Sequence, residues 1–134
     1  MIYKIIIPAR ANSSRLPGKN MKLLGGKPLI EYSIDFAINH FSKDSVWVNS
    51  DSKDIIEFSK KKGVKTLLRP SKLASETSSV VDALKFHVNY FKKYKIACDA
   101  IILFQPTNPF RESNLFKEAI EKFEKFFEIN QWCM

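Results

Sequence analysis

The residues best equipped for chemistry stand between Pro8 and Asn20, in the stretch PARANSSRLPGKN. Arg10, Arg15 and Lys19 put three cations into ten residues. An arginine can grip phosphate oxygens with two parallel N–H bonds, and a lysine adds a compact point charge. Ala11, Ser13, Ser14 and Gly18 are small enough for backbone N–H groups to reach the same oxygens as a nest. Such a loop is suited to a polyphosphate; the other reading is a polar surface loop that happens to be basic. It matches neither G-x-x-x-x-G-K-[ST] nor G-x-G-x-x-G, which sets aside the commonest nucleotide-binding folds.

Positioning this loop requires the elements around it. Ile2 to Ile7 is a nearly continuous β-branched run, too short for a helix, and reads as a buried strand. Leu29 to Phe41 carries a helical period opened by Pro28. Val46 to Val48 predicts a second strand, Asp51 to Lys62 a helix ended by Gly63, and Lys65 to Leu68 a third strand. Ser75 or Thr77 can cap a helix running to about Lys93. Ala100 to Phe104 is a fourth apolar strand, and Leu115 to Phe127 marks a last amphipathic helix. Strands apolar on both faces that alternate with helices predict a parallel sheet covered by helices, wound in the Rossmann manner. Ligands of such sheets bind outside the carboxyl ends of the strands, so the loops after the first and fourth strands are the places for chemistry.

At 134 residues the chain reads as one domain, with 45% hydrophobic and 27% charged residues, the balance of an ordinary globular protein. No run approaches the ~18–20 apolar residues of a membrane span. The apolar start contains Lys4 and has no cleavage-site pattern, so the expected compartment is the cytoplasm. Cys98 and Cys133 are far apart and read as free thiols; His40 and His87 sit on helical stretches without a partner motif. The net charge of +8 invites a nucleic-acid reading. Its distribution opposes that: Lys60, Lys61, Lys62, Lys92 and Lys93 gather at helix ends, and Lys117, Lys122 and Lys125 alternate with Glu118, Glu121 and Glu124. An anionic small molecule fits the charge at least as well.

Four segments carry a resemblance to a family. IPARANSSRLPGKN from Ile7, followed by LGGKPLI from Leu24, is similar to the opening of the acylneuraminate cytidylyltransferases. VNSD from Val48, LRPSKLASET from Leu68 and LFQPTNPFR from Leu103 resemble later motifs of that family, in the same order. The resemblance extends over residues 2 to about 125. The resemblance implies a Rossmann-like three-layer α/β/α sandwich with a mainly parallel sheet, of the nucleotide-diphospho-sugar transferase type. It implies a reaction in which CTP and a nonulosonic, sialic-acid-like sugar acid give the CMP-sugar and pyrophosphate, with Mg²⁺ as cofactor.

Carried residue by residue, the resemblance gives Arg10, Ser13 and Lys19 the triphosphate, with Arg15 in the same loop, and Asn20 the ribose. Arg69, Ser78 and Ser79 would flank the cytosine and Gln105 would face the sugar acid, with Arg10, Lys19 and Gln105 nearest the reacting groups. Simpler readings stand beside these: Arg69 before Pro70 could be a turn residue, Gln105 could pair with loop backbone, and Asp51 could be a metal contact or only a helix cap. Two departures matter. Val80 aligns where relatives place a hydroxyl near the base, and the chain ends where the family continues for about as long again. The family's metal carboxylates and dimerisation segment would lie in that continuation. The expectation is therefore a domain truncated at its C-terminus, with Ala100 to Phe104 as an exposed sheet edge covered by self-association or a second polypeptide. A split nucleotide-binding protein with little activity, or a related nucleotidyltransferase with another base or sugar, are the alternatives.

Overall fold

The computed structural model describes residues 1–13, 15–73 and 79–131. Four strands form one parallel sheet: β1 (Tyr3–Pro8), β4 (Val46–Ser50), β5 (Lys65–Leu68) and β6 (Ala100–Leu103), in the spatial order β5-β4-β1-β6. Two-residue strands β2 (Leu23–Leu24) and β3 (Lys27–Pro28) make a separate antiparallel hairpin. The helices are α1 (Leu29–His40), α2 (Lys53–Lys61), α3 (Val80–Lys93) and α4 (Ser113–Gln131). This is the α/β architecture expected, with β1 paired to β4 from Ile5↔Val46 to Pro8↔Asn49 and to β6 from Tyr3↔Ala100 to Ile6↔Leu103.

Alternation along the central strands builds two cores. Ile5, Ile7, Val46 and Val48 face Ile30, Ile34 and Ala37 of α1, Ile55 of α2 and Phe116 of α4. Ile6 and Trp47 point the other way, to Leu84, Tyr90 and Phe91 of α3. Three helices thus cover one face and α3 the other, which gives the three layers. Ile5, Ile6 and Ile7 are fully buried, and burying such a side chain stabilises by about 1.5–3 kcal/mol. The chain winds from β1 through β4 to β5, then crosses under α3 to β6 on the far side of β1. The strand order therefore reverses between β1 and β6, where a binding crevice belongs.

Several boundaries differ from expectation. The helix after β4 starts at Lys53, capped by Ser52, whose Oγ accepts from Ile55 N at 3.3 Å. Pro28 opens α1 as expected, standing as its N-cap just before Leu29, and it also closes β3. The cap of α3 is Ser79: its hydroxyl accepts from Asp82 N and the Asp82 carboxylate accepts from Ser79 N, both at 3.1 Å. That reciprocal box satisfies two helix-end donors, whereas Ser75 and Thr77 lie outside the described residues. The hairpin adds an element to those expected; Gly25 and Gly26 both adopt positive φ, +60° and +84°, as a tight two-residue turn requires. As expected, β6 stands at a sheet edge among the described residues, and Phe123, Phe126 and Phe127 are exposed on α4. Cys98 is a free thiol, Cys133 lies outside the described residues, and no described helix is long and apolar enough to cross a membrane.

Candidate functional site

The carboxyl end of β4 fastens three loops to one another. Asn49 O accepts from Ala9 N at 2.9 Å and Ser50 O accepts from Arg69 N at 2.9 Å. One residue further on, Asp51 Oδ1 accepts from Ala11 N at 2.7 Å. Because Ser52 caps α2, the Asp51 carboxylate serves the loop after β1 and is not the helix cap. The segments beginning at Ala9, Asp51 and Arg69 come from distant parts of the chain, yet meet along one edge of the sheet.

The loop after β1 is braced internally. Gly18 takes φ +67° and leads into a 3-10 turn, Lys19–Met21. That turn buries Asn20, whose Nδ2 donates to Arg10 O at 3.0 Å. The residue assigned to the ribose therefore also fixes the backbone of Arg10. Ser13 and Lys19 are half-buried in this loop and Arg15 is exposed.

Across the edge, Arg69 is only 7% exposed, and its Nε has no partner among the described residues. Burial pushes its pKa below the usual arginine value; Asp51 opposes that shift and Arg10 adds to it. Arg10, Asp51 and Arg69 thus share one electrostatic neighbourhood, with two positive charges to one negative among the described residues. A buried guanidinium with one carboxylate near it among the described residues favours a further anion. Ser79 lies beyond, its hydroxyl engaged in the cap of α3. Ser78 lies outside the described residues.

Gln105 stands on the other side of the crevice, after β6. Its side chain is exposed, while its carbonyl accepts from Asn108 N at 3.1 Å and from Arg111 Nη2 at 2.8 Å. Arg111 donates through Nη1 to the fully buried Ser33 Oγ on α1 at 3.0 Å. Its guanidinium also lies 4.6 Å from the Phe104 ring centroid. One arginine thus clamps the loop after β6 to α1 while Gln105's side chain stays accessible. No role for Arg111 is evident in the sequence, since its partner is 78 positions away. Among the described residues no group of three or more His, Cys, Asp or Glu is placed to hold a metal ion. Asp51 is the carboxylate that stands beside Arg10 and Arg69.

This fold and this site have known counterparts. The family model for cytidylyltransferases matches residues 4–130. The chain is 38% identical over 117 residues to a CMP-N,N'-diacetyllegionaminic acid synthase of Legionella pneumophila, covering 87% of this chain and 50% of that protein. It is 35% identical over 119 residues to a pseudaminic acid cytidylyltransferase of Campylobacter jejuni, covering 88% and 51%. A CMP:2-keto-3-deoxy-manno-octonic acid synthetase solved in complex with CTP superposes with a TM-score of 0.74 at 26% identity, covering 92% of this chain and 47% of that one. The chain thus spans about half the length of these relatives.

Proposed function

The chain belongs to the cytidylyltransferase family, and from that premise we propose that it forms the CTP-binding part of an enzyme that activates a nonulosonic, sialic-acid-like sugar acid. The observation that carries this is the grouping of Arg10 and Arg69 about Asp51 where the carboxyl ends of β1, β4 and β5 lie side by side. It is supported by the likeness to a synthetase solved with CTP and by relatives whose names are those of sugar-acid cytidylyltransferases.

In the proposed reaction the anomeric hydroxyl oxygen of the sugar acid bonds to the α-phosphorus of CTP. The bond from the α-phosphorus to the bridging oxygen breaks, pyrophosphate departs with that electron pair, and the hydroxyl proton passes to solvent. Catalysis of this kind is mainly positioning and electrostatics. Arg10 and Lys19 hold the triphosphate and offset charge that develops on it, while Ser13, Arg15 and backbone N–H groups complete the cradle. Asn20 takes the ribose, Arg69 and the segment around Ser78 and Ser79 flank the cytosine, and Gln105 faces the acceptor. Mg²⁺, when bound, neutralises phosphate charge, and Asp51 is the residue here that suits it, since such ions take one or two carboxylates with phosphate oxygens and water. The compartment in this proposal is the cytoplasm, where CTP is available.

The open edge at β6 favours a second component. An apolar strand with one unpaired side invites another strand, so the active form in this proposal is self-associated or joined by a second polypeptide. A pyrophosphate-release assay with each nucleoside triphosphate, with and without a nonulosonic acid, tests the function. Release that needs both CTP and the sugar acid is expected. Binding of CTP without any release would leave a nucleotide-binding protein, and preference for UTP or GTP would move the chain to another branch of nucleotidyltransferases.

A further inference from the structure

Asn49 does more at the sheet edge than continue β4. Its side chain is fully buried, and Nδ2 lies 3.3 Å from Ala83 O and 3.3 Å from His87 Nδ1, both on the first two turns of α3. Its backbone carbonyl holds Ala9 N, the first residue of the loop after β1. Asn49 therefore joins, within one residue, the loop that carries Arg10 and the helix whose cap is Ser79. A polar pair in this place is not what packing alone selects. The rings of Trp47 and Phe91 pack against His87 with centroids 5.2 and 4.8 Å from it. Asn49 Oδ1 and His87 Nε2 are buried with no partner among the described residues. An incompletely satisfied buried pair is costly, and an apolar pair of similar volume would be more stable. Such exceptions to the packing rules concentrate at functional sites.

We propose that Asn49 is a positioning residue for nucleotide binding: through its contacts with Ala83 and His87 it fixes the start of α3 relative to the Arg10 loop. The inference rests on the nucleotide site proposed above, in which that loop takes the triphosphate and the segment leading into α3 takes the base. Donation from Asn49 Nδ2 makes His87 Nδ1 the acceptor and places the imidazole proton on Nε2. That is the neutral ring, in keeping with a pKa that burial pushes down to about 4.

The proposal separates the two ends of the ligand. Without the Asn49 amide the phosphate loop keeps its backbone bonds to β4, but α3 is free to shift or fray. Calorimetric titrations of the chain, Asn49→Ala and His87→Leu with Mg²⁺ and either CTP or inorganic tripolyphosphate read this directly. CTP affinity should fall about tenfold in Asn49→Ala, the scale of losing one or two net hydrogen bonds, while tripolyphosphate affinity stays within about twofold. His87→Leu keeps the contact to Ala83 and should show a smaller loss of the same kind; it carries the test if Asn49→Ala fails to fold. Equal losses for both ligands, or none for either, would overturn the proposal. Amide hydrogen exchange on the same proteins reads the tether without ligand: residues 80–84 should exchange faster in Asn49→Ala while Ile5 to Ile7 remain protected. A wild-type chain that binds tripolyphosphate but not CTP contradicts the nucleotide assignment and not the tether. In that event unchanged exchange at 80–84 would refute the tether by itself.

Discussion

The N–H of Ala11 donates to Oδ1 of Asp51 at 2.7 Å, so the carboxylate that interacts with Arg69 is also an anchor of the basic loop. Asp51→Asn keeps an oxygen acceptor and removes the charge. CTP affinity measured without Mg²⁺ should then be equal or higher, because a carboxylate no longer opposes the phosphates. The gain in affinity on adding Mg²⁺ should shrink. Asp51→Ala also loses the anchor and should weaken binding with or without the ion, by about 1.5–3 kcal/mol. An undiminished Mg²⁺ effect in both variants would remove Asp51 from the metal's surroundings.

Arg111 is predicted to matter for stability as well as for loop placement. Arg111→Met leaves the buried Ser33 hydroxyl and the Gln105 carbonyl without this donor. Urea unfolding should show a loss of about 1.5–3 kcal/mol, the range for hydrogen bonds to charged groups. Arg111→Lys should recover less than half of that, because an ammonium cannot reproduce a planar fork to two oxygens. Full recovery by lysine would mean that the charge alone is sufficient.

Acid should destabilise the fold through His87. Its pKa is lowered from 6.5 to about 4 by burial, so the unfolded chain binds this proton more readily. The stabilisation from this site is complete above about pH 6.5 and is lost as pH falls through about 4. The difference corresponds to about 3 kcal/mol between those limits. Comparing unfolding free energies of wild type and His87→Leu at pH 7 and pH 4.5 checks this: the variant should lose less stability on acidification. Parallel losses in the two proteins would assign the acid sensitivity elsewhere.

Self-association should accompany the open sheet edge. β6 lacks a neighbour on one side among the described residues, and Phe126 on α4 is 67% exposed. Sedimentation velocity at micromolar concentration should show species larger than a monomer, or a monomer that converts to a heterocomplex with its second component. Ile101→Lys, on that edge, should shift the distribution toward monomer, since edge charges block strand pairing. A monodisperse wild-type monomer that turns over CTP and a nonulosonic acid at several per second would contradict this, as typical enzymes run near that rate.

Much of this architecture was legible because its signals are local. The β-branched run from Ile2 to Ile7, the proline and glycine at the ends of the next helices, and the cations from Arg10 to Lys19 each act within one element. The edge position of β6 agrees with the family resemblance, whereas its place beside β1 comes from the crossover through α3, which the order of elements alone does not fix. The start of α3 is ambiguous in the sequence because several hydroxyl residues between Ser75 and Ser79 compete for the cap, and the Asp82 carboxylate three residues after Ser79 decides it. The hairpin had a signal, Gly25 followed by Gly26 between two dipeptides, but strands of two residues leave no periodicity. The ties Arg111–Ser33 and Asn49–His87 span 78 and 38 positions. They depend on how helices cross the sheet, which no local pattern encodes.

The central claim is that the loop from Arg10 to Lys19 grips the triphosphate of CTP, and one titration tests it most directly. Calorimetry of CTP with Mg²⁺ should show binding to the wild-type chain, and Arg10→Ala and Lys19→Ala should each weaken it by about 1.5–3 kcal/mol. CTP affinity unchanged in both variants, with their thermal unfolding like that of the wild type, would place the nucleotide elsewhere and contradict the account.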